Sequence, residues 1–200
     1  MLKIPKVSII TPTHNRHSWL ISCIEQVKNQ DTHILFEHIV VSDGVDEQVV
    51  KICDYYKIRC ACIEKEVNNG TSKGHKARDV GISMATGQFI LLWDDDNIYY
   101  RNAISLFISE IKNYDILVCN IRYRVRRPYP HLYKDMPENW NGQFVKSNID
   151  TMNVMVKSQL AKTMHWTNSS DYAGDYYWLK SLENCGAKIG YCNEYVGIKN

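Results

Sequence analysis

Short apolar runs rich in β-branched residues alternate along this chain with stretches whose apolar residues fall at helical spacing. Val7 to Ile10 is the first such run, and after a polar stretch Leu20, Ile21, Ile24 and Val27 share one helical face. This order predicts strand, loop, helix. It returns with His38 to Ser42 as a strand, Glu47 to Tyr56 as a helix and Cys60 to Ile63 as a strand. Ala77, Val80, Met84 and Ala85 predict a helix that Gly87 can end, followed by a buried-type strand from Phe89 to Trp93. Arg101 to Lys112 carries Ile104, Phe107, Ile108 and Ile111 on one face, and Ile116 to Cys119 is a further strand. Strands alternating with helices imply an α/β fold with a mainly parallel central sheet flanked by helices.

The pattern then changes. Arg122 to Trp140 is rich in Arg, Tyr and Pro, which suits an irregular excursion or a twisted hairpin. Ile149 to Val156 predicts a strand, and Tyr176 to Asn184 a helix stopped by Gly186. The chain has 200 residues and no Pro/Gly/Ser-rich linker, so residues 1–200 are expected to form one domain. The sequence is equally compatible with that domain belonging to a larger multidomain polypeptide.

Composition narrows the chemistry. Lys plus Arg number 24 against 22 for Asp plus Glu, too weak a field for nucleic acid or an anionic membrane to be the main partner. Seven cysteines lie scattered without the spacing of a zinc site, and unpatterned thiols point to a reducing, cytoplasmic compartment. The N-terminus lacks the apolar core of a signal peptide, and no apolar run is long enough for a transmembrane segment. Asn69-Gly70-Thr71 and Asn168-Ser169-Ser170 fit the glycan acceptor pattern but read as polar turns.

Open parallel sheets bind ligands beyond the carboxyl ends of their strands. Those positions hold Thr11-Pro12-Thr13, Ser42-Asp43-Gly44 and Asp94-Asp95-Asp96-Asn97. Three consecutive carboxylates repel one another unless a cation or hydrogen-bond donors offset them. Mg²⁺ and Mn²⁺ prefer oxygen ligands and commonly bind through one or two carboxylates plus substrate phosphates. The competing explanation is a solvated acidic turn, with Asp96 or Asn97 capping the next helix.

Several motifs in order resemble one family. Val7-Ser-Ile-Ile-Thr-Pro-Thr-His-Asn-Arg16, His38-Ile-Val-Val-Ser-Asp-Gly44, Lys76-Ala-Arg-Asp-Val-Gly81 and Ala85-Thr-Gly-Gln-Phe-Ile-Leu-Leu-Trp-Asp-Asp-Asp-Asn97 are similar to segments of the inverting family 2 glycosyltransferases, which have the GT-A fold. Asp95 to Tyr99 and Asp175-Tyr-Tyr-Trp-Leu-Lys180 resemble most the spore-coat polysaccharide branch of that family. The resemblance implies a nucleotide-binding half over 1–120, an acceptor-binding half over 121–200 and a role in polysaccharide biosynthesis. It further implies transfer from a UDP-sugar donor to a hydroxyl of a glycan or other acceptor. Thr11 and Asp43 would contact uracil, with Pro12 and Thr13 beside them, Arg78 the nucleotide and Asp95 the ribose. Asp94 would be a further donor-binding residue, the family's commoner Asp-x-Asp motif mapping to Asp94 and Asp96, and Asp96 would hold a divalent metal, Mn²⁺ or Mg²⁺.

Asp175 is then the candidate base that takes the acceptor's proton, with Asp171 in reserve. A competing role for Asp175 is the N-cap of the helix it precedes. Two departures stand out: Asp79 replaces the family's usual Asn, and Gly174-Asp175 replaces a Glu-Asp pair. Arg122, Arg124, Arg126 and Arg127, interleaved with Tyr123, Tyr129 and Tyr133, suggest an acceptor-side loop, and Trp140, Trp166 and Trp178 have faces suited to a sugar ring. Two other functions compete, a non-catalytic nucleotide-sugar or glycan-binding module and a sugar-phosphate nucleotidyltransferase. The second expects a Gly-rich loop after the first strand, and Thr11 to Arg16 has no glycine.

Overall fold

A computed structural model of the chain describes residues 6–64, 74–124, 133–166 and 173–200. Strands β1 (Val7–Thr13), β2 (Phe36–Asp43), β3 (Arg59–Ile63) and β4 (Phe89–Leu92) run parallel in the order β3-β2-β1-β4. Helices α1 (His17–Lys28), α2 (Glu47–Tyr56) and α3 (His75–Met84) lie between them in sequence. The side-chain alternation of β1 explains why both faces are covered. Ile9 packs with Cys23 and Val27 of α1, and Ile10 packs with Ala77 of α3 on the other face.

After β4 come β5 (Ile98–Tyr99), α4 (Ala103–Ile111), β6 (Ile116–Arg124) and β7 (Tyr133–Met136). They are followed by β8 (Val154–Lys157), α5 (Ser158–Ala161), α6 (Gly174–Asn184) and β9 (Ile189–Lys199). Strand β8 inserts antiparallel between β4 and β6, which makes the sheet mixed beyond its parallel half. Strand β9 runs parallel to β6 with register shifts around Asn120, and β5 pairs antiparallel with its far end. The nine described strands form one continuous sheet. Helix α4 joins the α1 face through Ile104 and Phe107, and α6 joins the α3 face through Trp178 and Leu179.

Most expected elements appear where the periodicity places them, and the differences have local causes. The expected strand from Ile149 begins only at Val154, because Asp150 and Asn153 form a reciprocal capping box around a 3₁₀ turn at Thr151–Asn153. Gly87 does not end α3, which stops at Met84. Instead its missing side chain admits Ser8, whose backbone nitrogen would lie 2.7 Å from an added Cβ. Gly186 does follow the end of α6, in the left-handed conformation at φ 83°. Strand β9 was not expected: polar side chains at Asn193 and Glu194 and the register shifts break its alternation. The hairpin expected after Arg122 exists as β6–β7, but its tip with Arg126, Arg127 and Tyr129 lies outside the described residues. Asp171 and the two Asn-x-Ser/Thr sites extend into the same undescribed stretches. All seven cysteines are free thiols, and among the described residues no helix is long and apolar enough to cross a membrane.

Gly81 fixes how closely α3 approaches β1. An added Cβ there would lie 2.3 Å from Ile10 Cγ2, a buried branched side chain with no room to retreat. Replacing a helical Gly by Ala gains up to about 1 kcal/mol of helix propensity, whereas overpacking a core costs about 1–3 kcal/mol. Gly81→Ala is therefore expected to lower the urea midpoint, and a raised midpoint would show that α3 slides freely on the sheet.

Candidate functional site

The carboxyl ends of β1, β2 and β4 open on one side of the sheet, and the end of β9 closes against them. A cavity of about 620 Å³ lies there, lined by Pro12, Thr13, Asp43, Arg78, Asp94 and Asp96. His14, Arg16, Asn97, Lys199 and Asn200 complete its wall. Six of the expected site residues thus meet in one place, although they come from separate parts of the sequence.

Each carboxylate of the acidic row has a hydrogen-bond or ion-pair partner, and Arg16 serves two of them. Arg78 Nη2 donates to Asp94 Oδ1 at 2.6 Å. Thr13 Oγ1 donates to Asp95 Oδ2 at 2.7 Å, and Arg16 Nη2 lies 2.8 Å from Asp95 Oδ1. Arg16 Nη1 also donates to Asp96 Oδ2 at 2.9 Å. Burial, then repulsion from Asp96 and Asp94, pushes the Asp95 carboxyl up to about 6 against the opposing pull of Arg16 and Thr13. A freely solvated acidic turn does not describe this arrangement, since Asp95 is only 1% exposed.

Arg78 is also more than a solvated helix arginine. It is 9% exposed, and its guanidinium lies over the Trp166 ring at 5.0 Å. Trp166 stacks on Trp178 at 5.1 Å and packs against His75 at 5.4 Å, so these two indoles serve as a buried support. Trp140 packs instead against Phe144 and Tyr191. Asp79, where the family usually has Asn, accepts the Trp166 backbone N–H at 2.9 Å, a bond either residue can make.

Two expected donor residues lie beneath the cavity rather than on it. Thr11 has no exposed surface, and its hydroxyl is 2.9 Å from His38 Nε2 and 3.6 Å from Cys23 Sγ. Burial holds the His38 imidazole at about 3, hence neutral. Asp95 is enclosed as described. Asp43 remains on the wall, 7% exposed, with its carbonyl accepting from His14 Nδ1.

Asp175 lines an adjoining cavity of about 560 Å³ together with Tyr123, Lys134, Lys146 and Lys199. Lys199 belongs to both cavities and links them. Helix α6 starts at Gly174 with Ala173 as its N-cap, so Asp175 lies within the first turn and is not the cap. Its Oδ1 accepts the Tyr176 N–H at 2.8 Å. Burial and then the nearby Asp150 push its carboxyl up to about 6, against Tyr176 N–H, Lys199 and Arg78. Asp150, 4% exposed, is ion-paired with Lys199. At Gly174 an added Cβ would meet His75 Nε2 at 2.3 Å, so the imidazole fills the space that a Glu side chain would need.

Sequence reasoning missed Arg16, His14, Asp150, Lys199 and Asn200. Arg16 and His14 lie inside the first motif and were visible there. Asp150 and Lys199 carried no signal, because one sits in a 3₁₀ turn read as a strand and the other ends the unexpected β9. Asn200 Nδ2 donates to the Asp96 carbonyl at 2.7 Å, and its N–H donates to Asn97 Oδ1 at 3.3 Å. These bonds hold the end of β9 against the acidic loop.

Among the described residues no three His, Cys, Asp or Glu side chains gather closely enough to enclose a metal by themselves. The donor set nevertheless suits a hard cation that shares its shell with a ligand. Asp96 lines the cavity with its side chain 38% exposed, and a carboxylate supplies the oxygen ligands such an ion prefers.

Several known proteins are similar to this chain in sequence or fold. An uncharacterized glycosyltransferase of Rickettsia bellii is 33% identical over 127 residues, 62% of this chain and 18% of that protein. The poly(ribitol-phosphate) beta-N-acetylglucosaminyltransferase TarS of Staphylococcus aureus is 25% identical over 121 residues, 58% of this chain and 21% of its own length. The crystal structure of TarS 1–349 with UDP-GlcNAc superposes with a TM-score of 0.70 at 20% identity, covering 98% of this chain and 59% of that one. A Pyrobaculum calidifontis mannosyltransferase in complex with GDP-Man and Mn²⁺ gives 0.68 at 15% identity, covering 99% of this chain and 57% of that one. The chain therefore spans only part of the length of the relatives it matches. The profile described as glycosyl transferase family 2 matches residues 8–165, and with the GT-A-type sheet and its strand-end cavity the chain belongs to that family.

Proposed function

We propose that this domain moves a sugar from a UDP-sugar to a hydroxyl of a glycan or other acceptor, with a divalent metal and with inversion at the anomeric carbon. The observation that carries this reading is the pair of adjoining cavities. One gathers Asp43, Arg78, Asp94 and Asp96, the other presents Asp175, and Lys199 is common to both. A donor lying across that junction has its nucleotide in the first cavity and its reacting carbon near the second.

Each residue has a task that its surroundings support. Asp43 accepts the uracil N3–H, with Pro12 and Thr13 shaping the wall beside it. Thr11 acts one layer below, holding β1 against His38. Arg78 offers its fork of donors to the nucleotide's phosphates from a rigid aromatic seat. Asp96 would hold the metal, and Asp95, tied by Thr13 and Arg16, orients the loop. A divalent ion bound there would supply Lewis-acid stabilisation of the departing diphosphate. Asp175 takes the acceptor's proton; a carboxyl raised toward neutrality by burial is better matched to that work than an ordinary aspartate.

Relatives supply the finer support. TarS has been crystallised with UDP-GlcNAc, and the Pyrobaculum enzyme with a nucleotide sugar and Mn²⁺. Lys134, Lys146 and Lys199 around Asp175 favour an acceptor that carries negative charge, in line with the poly(ribitol-phosphate) in the name of TarS.

Three measurements test the proposal. UDP with Mn²⁺ is expected to raise the melting temperature, a ligand at a hundred times its Kd adding about 2.7 kcal/mol, and no shift with any uridine nucleotide would refute the donor assignment. Asp43→Ala should weaken UDP about tenfold, the worth of one charge-assisted hydrogen bond, with less effect on inorganic pyrophosphate. Asp175→Asn should cut transfer by about 10²–10⁴ while keeping the fold.

The same variant has a stability signature. The folded-state value of Asp175 lies near 6, above its ordinary 3.8. Above pH 6 the wild type buries an ionised carboxylate at a cost, which is relieved as pH falls toward 4 and the folded protein takes up the proton first. Asp175→Asn should therefore melt higher than wild type at pH 7, with the gap closing between pH 6 and 4. A gap independent of pH would contradict the burial argument.

A further inference from the structure

Arg16 occupies the place in the acidic row where a cation is wanted. It precedes α1 at the N-cap position but makes no side-chain capping bond there. Its guanidinium reaches across the cavity, with Nη2 2.8 Å from Asp95 Oδ1 and Nη1 2.9 Å from Asp96 Oδ2. Two carboxylates of adjacent residues thus converge on one positive group, as they would on a metal. The exposures separate what is fixed from what can move. The Asp95 side chain is fully buried, whereas Asp96 is 38% and Arg16 42% exposed. Arg16 and Asp96 are thus the members of this group that solvent reaches.

A divalent ion on Asp96 would stand at contact distance from that guanidinium, and like charges so close in a partly buried site repel. An incoming diphosphate reverses the balance. It brings more negative charge into the same cavity, and a guanidinium fork matches phosphate oxygens as well as carboxylate oxygens. We propose that Arg16 is a resident counter-cation: it neutralises Asp95 and Asp96 in the ligand-free protein, competes with the divalent metal for Asp96, and passes to the donor's diphosphate when metal and nucleotide bind. This inference rests on reading the cavity as the donor site.

The test measures Mn²⁺ and UDP separately. Titration of nucleotide-free protein with Mn²⁺ is expected to show about tenfold tighter binding in Arg16→Gln than in wild type, with Arg16→Lys in between because it keeps the charge but loses the fork. At saturating Mn²⁺ the order inverts, and UDP should bind Arg16→Gln about tenfold more weakly. A purely structural arginine would lower both affinities together. Unchanged or weaker Mn²⁺ binding in Arg16→Gln overturns the proposal, and so does unchanged UDP binding. If Arg16→Gln fails to fold without metal, the Arg16→Lys comparison decides both points. Failure of the donor reading is distinguished by wild type that shows no UDP-induced thermal shift, while the Mn²⁺ titration still reports on Arg16.

Discussion

The organising constraint in this molecule is the neutralisation of three successive carboxylates at the end of one buried strand. No single group could do it, and the fold recruits partners from different elements. Arg78 comes from α3, Thr13 from β1 and Arg16 from the loop before α1, while Asn200 pins the loop's backbone from the end of β9. The same interactions that make the acidic row tolerable therefore clamp the parallel and mixed parts of the sheet together around the cavity. The contacts that hold the sheet together here are thus the same ones that line the cavity, so changes to the row affect both.

The parallel half of the fold was legible because each strand is a compact β-branched run and each helix has a clean apolar face. Val7–Thr13 and Phe36–Asp43 are buried throughout or nearly so, and such strands leave a strong signal. The second half was harder to read. Strand β9 pairs through a shifted register and exposes Tyr191, Asn193 and Glu194, so its pattern resembles a polar loop. At Asp150 a local capping box overrode a run of apolar residues that follows it.

The site divides the same way. Asp43, Asp94 and Asp96 were singled out because ligands of parallel sheets bind beyond strand ends, and Arg78 of α3 through the family resemblance alone; the fold brings all four to one cavity. Depth was not legible: nothing in Thr11-Pro12-Thr13 says that the first hydroxyl turns to His38 under α1 while the second reaches Asp95. Nor could the sequence show that Asp175 shares its surroundings with Asp150 and Lys199, since those groups lie far apart along the chain. The proton affinity of Asp175 is a tertiary property, set by burial and by which charges the folded sheet brings near.

His75 against Gly174 has a consequence for how this sequence can vary. The imidazole is held by Trp166, which also seats Arg78, so one aromatic column spans the distance from Arg78 on the cavity wall to the start of α6. A glutamate cannot enter at position 174 while that column stands, and a smaller residue at 75 alone would leave a void beneath the helix. The two positions are bound to change in concert, and relatives with the acidic pair should carry a compact side chain where this chain has histidine.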